Sequence, residues 1–256
     1  VDDLIKAHKN FIGSSFVDIY AYGNYQPNNI VEFAKKSRLS MGETSQNDHW
    51  RYRPSFDAKP GTARMKKVTI AKDGVGVLDN YIYPEKSEKV AVQLQILNKL
   101  FRPTFFNDLR TNQEIGYVAS SFVSETNEYP TLSTLVVSDS NNAKQLKEKV
   151  MGFNYGFATA FQNLSDKTIE NVKKAMIEEL EKKPENLFVE AEPYFDDWTD
   201  GNYSFDSLEK TIEYIESTDK GDLLALMNKM FLEGQYMNTT IQIRGDDFKD
   251  TPFFNW

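Results

Sequence analysis

The sequence predicts an α+β fold in which an antiparallel sheet is covered on one face by helices. From Lys67 onward, segments with the two-residue alternation of strands and segments with the apolar spacing of helices follow in the order strand, strand, helix, strand, strand, several helices, strand. Short turn sequences join the paired strands, which is typical of antiparallel pairing. Hydrophobic residues make up 40% of the 256 residues, enough for a sizeable core.

Residues 1–45 are predicted to be the helix-strand-helix tail of a preceding, similar domain. Apolar residues near Leu4 and Ile12 predict a helix, the alternation from Ser15 to Tyr25 predicts a strand, and a short helix is expected after Pro27. Residues 46–66 contain proline and glycine without a clean period and are predicted to be a linker. Residues 67–256 then form the main domain. Because the opening VDDLIKAHKN lacks both an initiator methionine and a signal sequence, we expect a longer parent polypeptide.

The main domain is predicted to open with two strands joined by a hairpin. The strands run from Lys67 to Ala71 and from Val75 to Tyr83, with a turn at Asp73-Gly74. The Gly-Val-Gly at this turn is too short for a dinucleotide-binding motif.

The remaining elements follow from capping residues and periodicity. A helix capped by Ser87 is predicted to break at Pro103, where a second short helix begins and runs through Phe106 and Leu109. Further along, we expect strands Tyr117 to Glu125 and Tyr129 to Ser138, helices starting near Asn142, Ser165, Asn186, Ser204 or Asp206, and Ser217 or Asp219, and a last strand from Met237 to Arg244.

Composition excludes several classes of function. The 38 acidic and 30 basic residues give a net charge of −8 without any basic block, which argues against nucleic-acid binding. No apolar run approaches the roughly 20 residues that a membrane-spanning helix needs. Cysteine is absent, so disulfides, thiolate metal sites and a cysteine nucleophile are excluded.

The sequence predicts no metal site in this chain. His8 and His49 are the two histidines, and neither an H-x-x-E-H nor an H-E-x-x-H motif occurs. His49-Trp50 is interpreted as a packing or surface element, and Asp246-Asp247 as a polar turn. Five acidic residues are clustered further along the chain, and we interpret them as a solvated helix face: Glu190, Glu192, Asp196, Asp197 and Asp200.

One stretch, Leu109 to Ser121 (LRTNQEIGYVASS), allows two interpretations. It fits a polar helix end, with Arg110 favoured by the helix dipole and Gly116 as the left-handed residue that ends the helix. It also fits a surface that holds a ligand.

The run FRPTFFNDLRTNQEIGYVASS, Phe101 to Ser121, resembles the C-terminal domain of the insulinase/pitrilysin family of zinc metallopeptidases (inverzincins). Members typically read F-x-x-L-R-T-x-x-Q-L-G-Y-x-V. The matching residues are Pro103, Phe106, Leu109, Arg110, Thr111, Gly116 and Tyr117, whereas Glu114-Ile115 replaces the usual Gln-Leu. Weaker likeness around Leu180 to Pro184 and Tyr203 to Asp206 extends the resemblance over roughly Lys67 to Arg244.

The resemblance implies four similar α+β domains in two bowl-shaped halves around a closed chamber, with this chain as the end of the third domain and the whole fourth. Zinc would be held by the first domain, so this chain alone is expected to bind no zinc and to be inactive. Its partners would be the N-terminal zinc-bearing half of the same polypeptide and peptide substrates. A periplasmic location is favoured if the source is bacterial.

The resemblance also implies roles for individual residues. Arg110 and Tyr117 would bind the substrate around its scissile bond and assist catalysis, with Tyr117 donating to the oxyanion. Gly116 would set the direction of Tyr117, and Thr111 and Glu114 would at most support the site. Two alternatives stay open: a separately encoded Arg/Tyr partner subunit of a two-chain peptidase, and a non-catalytic scaffold subunit of the same fold.

Overall fold

The computed structural model describes residues 1–15, 17–41, 57–126 and 128–256. The described residues form two compact units, one within Val1–Pro54 and Lys182–Leu208 and the other within Ser55–Glu181 and Glu209–Trp256. Most of the predicted linker, including His49 and Trp50, lies outside the described residues. The stretch Phe101 to Ser121 lies wholly in the second, larger unit.

The larger unit is built on a sheet whose described strands are ordered β1-β5-β2-β4-β3. The strands are β1 (Ala63–Thr69), β2 (Val75–Ile82), β3 (Val118–Thr126), β4 (Tyr129–Ser138) and β5 (Met237–Arg244). Strands β2, β3, β4 and β5 pair antiparallel in the order β5-β2-β4-β3, while β1 runs parallel to β5. This order places β3 at one end of the sheet.

The helices of the larger unit pack on the sheet through two apolar clusters. They are α3 (Glu88–Phe106), α4 (Ala143–Phe161), α5 (Asp166–Leu180), α7 (Ser207–Ser217) from Glu209 onward, and α8 (Lys220–Met227). One cluster joins Leu97 of α3 to Leu132 of β4, and the other joins Phe101 of α3 to Val136 of β4 and Val150 of α4. The predicted α+β class is confirmed.

A buried ion pair fixes α4 to β2. Lys147 Nζ lies 2.6 Å from Asp79 Oδ1, and neither side chain is exposed to solvent. Thr240 also donates to Asp79 Oδ1. Burial lowers the pKa of Lys147, although the carboxylate opposes that effect.

Several predicted helix starts are confirmed by their capping hydrogen bonds. Ser87, Ser165 and Asp219 each accept from a backbone N–H in the first turn of their helix. Asn142 forms a reciprocal capping box with Gln145 at the start of α4.

The predicted hairpin between the first two strands is wrong. Gly74 has the expected positive φ of 92°, but β5 lies between β1 and β2 and pairs with both. The partner of both strands is therefore β5, which is distant in sequence. A turn sequence between β1 and β2 does not reveal that another strand lies between them. The first strand also lies earlier than predicted, at Ala63–Thr69.

The smaller unit contains α1 (Asp2–Ser14), α2 (Pro27–Met41) and α6 (Leu187–Asp200). The strand predicted from Ser15 to Tyr25 is wrong, because the described residues of this segment form no strand. Tyr20 and Tyr22 instead pack on aromatic residues of α6, with ring centroids 5.6 Å from Phe195 and 5.3 Å from Tyr194, respectively. The alternation therefore reflects contacts with a helix.

The acidic segment of α6 is only partly a solvated face. Asp197 is buried, with 6% of its surface exposed. Its carboxylate accepts hydrogen bonds from Asn202 and Ser207 in the loop and first turn that follow. The prediction is wrong for Asp197, because this carboxylate satisfies donors that come later in the chain.

Among the described helices, none has the length and apolar character needed to cross a membrane.

Candidate functional site

Arg110 lies in the turn that directly follows α3. The helix leading to this turn has no break at Pro103, contrary to the prediction. Pro103 lies inside α3, which continues to Phe106 and passes into a π-helical turn at Asn107–Asn112. Phe101, Phe105 and Leu109 are fully buried on one side of this path. Burial of that apolar stripe outweighs the cost of a proline in the helix, so the break predicted at Pro103 is wrong.

Two buried anchors hold the wide turn that follows. Leu109 and Ile115 are both 0% exposed, and the Ile115 N–H donates to the Leu109 carbonyl at 3.1 Å. The residues between them are exposed. Glu114 has the left-handed φ of 49°, so it occupies the conformation that was predicted for Gly116.

Gly116 instead allows the backbone of this segment to lie close to the backbone of β4. Its φ is +150°, and a Cβ built at this position would lie 2.2 Å from the Val137 carbonyl oxygen and 2.7 Å from Ser138 Cα. Both atoms belong to backbone and cannot swing away. A side chain therefore cannot be accommodated here without moving one of the two segments.

The loop after β4 completes this contact. Ser138 Oγ accepts from the N–H groups of Ser140 and Asn141 at 3.1 and 3.0 Å. Asn141 Nδ2 donates to the Ile115 carbonyl at 3.3 Å. The loop is thus held against the segment that leads into β3.

Tyr117 projects from this junction just before β3 begins. Its side chain is exposed, at 63%, and its hydroxyl donates to Asp139 Oδ2 at 2.9 Å. The hydrogen bond to Asp139, and next the charge of that carboxylate, raise the pKa of Tyr117 above its ordinary value. The phenol is therefore a neutral hydrogen-bond donor at physiological pH.

Arg110 lies beside Tyr117. Arg110 Nε donates to the Tyr117 carbonyl at 3.2 Å, and the guanidinium carbon lies 5.1 Å from the centre of the Phe106 ring. Within the described part of the chain, the terminal guanidinium nitrogens make no hydrogen bond. They remain available as donors to a ligand.

A groove of about 470 Å³ runs between the end of α3 and the start of β3. It is lined by Arg102, Pro103, Phe106, Asn107, Tyr117, Val118, Ala119 and Ser120. The three predicted site residues thus come together. Tyr117 lines this groove, and Arg110 contacts two of the lining residues, Tyr117 and Phe106. Gly116 allows the close backbone approach to β4 next to Tyr117.

Two neighbours of the site were missed by the sequence predictions. Asp139 and Asn141 follow β4 and contact Tyr117 and Ile115 only because β3 and β4 pair. The polar run SDSNN after a strand was the available signal, but local spacing does not connect it to Tyr117.

The described residues do not fit a metal centre, because they contain no group of three or more His, Asp or Glu side chains placed to hold an ion.

Comparison with known proteins agrees with this architecture. A family profile described as PQQ synthase PqqF-like, C-terminal lobe domain 4, matches residues 96–195. Mug138 of Schizosaccharomyces pombe, which is named as a zinc protease, is 24% identical over 260 residues, covering 92% of this chain and 25% of that protein.

Solved structures share the fold. The crystal structure of pitrilysin has a TM-score of 0.80 at 19% identity, with 91% of this chain and 25% of that chain covered. The first half of the periplasmic protease PqqL from Escherichia coli has a TM-score of 0.61 at 12% identity, with 91% of this chain and 52% of that chain covered.

The chain thus shares its α+β fold with pitrilysin, and part of it matches the profile of a C-terminal lobe domain. The chain is similar to proteins of the insulinase/pitrilysin type, and the profile that it matches is that of a C-terminal lobe domain. The chain spans 25% of the length of mug138 and 25% of the pitrilysin chain.

Proposed function

We propose that this chain is the C-terminal, substrate-binding portion of a zinc metalloendopeptidase that degrades peptides in an enclosed chamber. Residues 1–45 would be the tail of the third domain and residues 67–256 the fourth. Zinc and the general base would come from the N-terminal half of the same polypeptide, and this chain alone would be inactive.

The observation that carries the proposal is the contact of Arg110 with Tyr117, which lines a groove, in a chain that resembles a C-terminal lobe of this family. Arg110 offers terminal N–H groups that have no partner among the described residues and that suit peptide carbonyl oxygens. Tyr117 offers a neutral phenol hydroxyl, which can donate to an oxygen that gains negative charge in the transition state.

Gly116 supports the same role indirectly. Because its backbone lies against Val137 and Ser138, the position of Tyr117 is tied to the sheet. A donor held in place before the reaction contributes more than one that must first be ordered.

The test uses the complete polypeptide with its zinc-bearing half and a fluorogenic peptide. We expect Tyr117→Phe to lower kcat/KM by about 10²-fold, the usual effect of losing one oxyanion donor. Arg110→Ala should lower kcat/KM by about 10- to 100-fold, as expected for hydrogen bonds from a charged group.

Matched controls are available in this chain. Tyr155 is 64% exposed and lies on α4, and Arg64 is exposed on β1. Tyr155→Phe and Arg64→Ala should leave kcat/KM unchanged, and all four variants should retain zinc. If Arg110→Ala and Tyr117→Phe behave like these controls, the assignment of the site is wrong.

A further inference from the structure

The proposed function leaves one close contact of Tyr117 without a role. The phenol hydroxyl donates to Asp139 Oδ2 at 2.9 Å, yet a phenol has a single hydrogen to donate. It cannot donate to Asp139 and to a peptide oxygen at the same time.

The position of Asp139 relative to Tyr117 is set by backbone contacts. Gly116 lies against Val137 and Ser138 immediately before Asp139. On the far side of Asp139, Asn141 holds the Ile115 carbonyl. Contacts on both sides therefore place the carboxylate where the phenol can reach it.

We propose that Asp139 is a positioning residue: it holds the hydroxyl of Tyr117, a residue that lines the groove, in one place in the free protein, and a bound peptide carbonyl takes that hydrogen bond over. This inference rests on the proposed function. The exchange breaks one hydrogen bond and forms another, with no covalent step and no net proton transfer.

The hydrogen bond to Asp139 can orient Tyr117 because the residue is exposed. Because Tyr117 is 63% exposed as a residue, packing alone does not select one ring orientation. A hydrogen bond to a carboxylate is stronger than one to a neutral acceptor, so Asp139 selects one orientation of the Tyr117 ring. Asparagine at this position keeps an acceptor oxygen, whereas alanine removes it.

The first experiment needs only this chain and measures the ionisation of Tyr117. Tyrosine labelled with ¹³C at Cζ is followed by NMR as a function of pH, and the Tyr117 signal is assigned by its loss in Tyr117→Phe. In Asp139→Ala the pKa of Tyr117 should fall toward the ordinary tyrosine value. Asp108→Ala is the control, because Asp108 accepts from Gln113 and not from Tyr117, and it should leave that pKa unchanged.

The second experiment measures peptide hydrolysis by the complete polypeptide. Asp139→Ala should lower kcat/KM by about three- to tenfold, as expected for an exposed hydrogen bond. Asp139→Asn should restore most of the loss. In the Tyr117→Phe background, Asp139→Ala should have no further effect, because its action passes through the phenol hydroxyl.

Any one of three results would overturn the inference. The contact is absent in solution if the Tyr117 pKa is the same with and without Asp139. Asp139 has no positioning role if Asp139→Ala leaves kcat/KM unchanged or raised, or lowers it equally in the Tyr117→Phe background. A different result would contradict the proposed function: Tyr117→Phe itself would leave kcat/KM unchanged. In that case the titration can still show the hydrogen bond between Tyr117 and Asp139.

Discussion

At the scale of single residues, the site depends on a glycine whose importance is steric. The sequence indicated that Gly116 ends a helix, whereas Glu114 takes that conformation and Gly116 allows two backbone segments to approach. The distinction matters because an approach this close tolerates no Cβ.

We therefore expect Gly116→Ala to lower the free energy of unfolding by about 2–4 kcal/mol, since it combines steric overlap with an unfavourable φ. Chemical denaturation of this chain measures the change. The control is Gly152→Ala in α4, where a new Cβ meets no atom of the described residues within 4 Å. There alanine should raise the stability by about 0.5–1 kcal/mol. Equal effects at both glycines would show that the backbone contact is unimportant.

At the scale of elements, capping determines where the helix after the Asp139 loop begins. The Asn142 side chain accepts from Gln145 N–H at 3.0 Å, and the Gln145 side chain accepts from Asn142 N–H at 3.0 Å. The start of α4 thus follows directly on the loop that contacts Ile115 and Tyr117.

We expect Asn142→Ala to lower the free energy of unfolding by about 1 kcal/mol through loss of the cap. Asn142→Asp should keep most of the stability, because aspartate is an equally good cap. Urea denaturation distinguishes the two variants. Equal losses for alanine and aspartate would contradict a capping role.

Helices and strands were predicted correctly where the signal is local in sequence. The predictions were wrong where contacts with residues distant in sequence determine the structure. Ser87, Ser165 and Asp219 start helices as their side chains predict. The hairpin and the strand near Tyr20 were wrong, because β5 and α6 supply the real partners. The break at Pro103 was wrong because buried neighbours keep the helix continuous.

At the scale of the whole molecule, the proposed active site would contain residues from two lobes. We expect this chain alone, with added zinc, to show no hydrolysis of a fluorogenic peptide. Mixing it with the separately produced N-terminal half should restore activity, because that half would supply the metal and the base. Zinc-dependent hydrolysis by this chain alone would contradict the division.

The same system addresses the alternatives. A zinc motif upstream in the same reading frame would favour a single-chain peptidase over a separately encoded partner subunit. A scaffold that has lost catalysis predicts no activity even when both halves are present and loaded with zinc.

The sequence by itself determined the α+β class and most helix starts. These features depend on periodicity, capping and neighbours along the chain. Only the tertiary structure decided that β5 separates β1 from β2, that Gly116 lies against β4, and that Asp139 receives the Tyr117 hydroxyl. The physical reason is that strand pairing brings together residues far apart in sequence, and no local pattern records which strand becomes the partner.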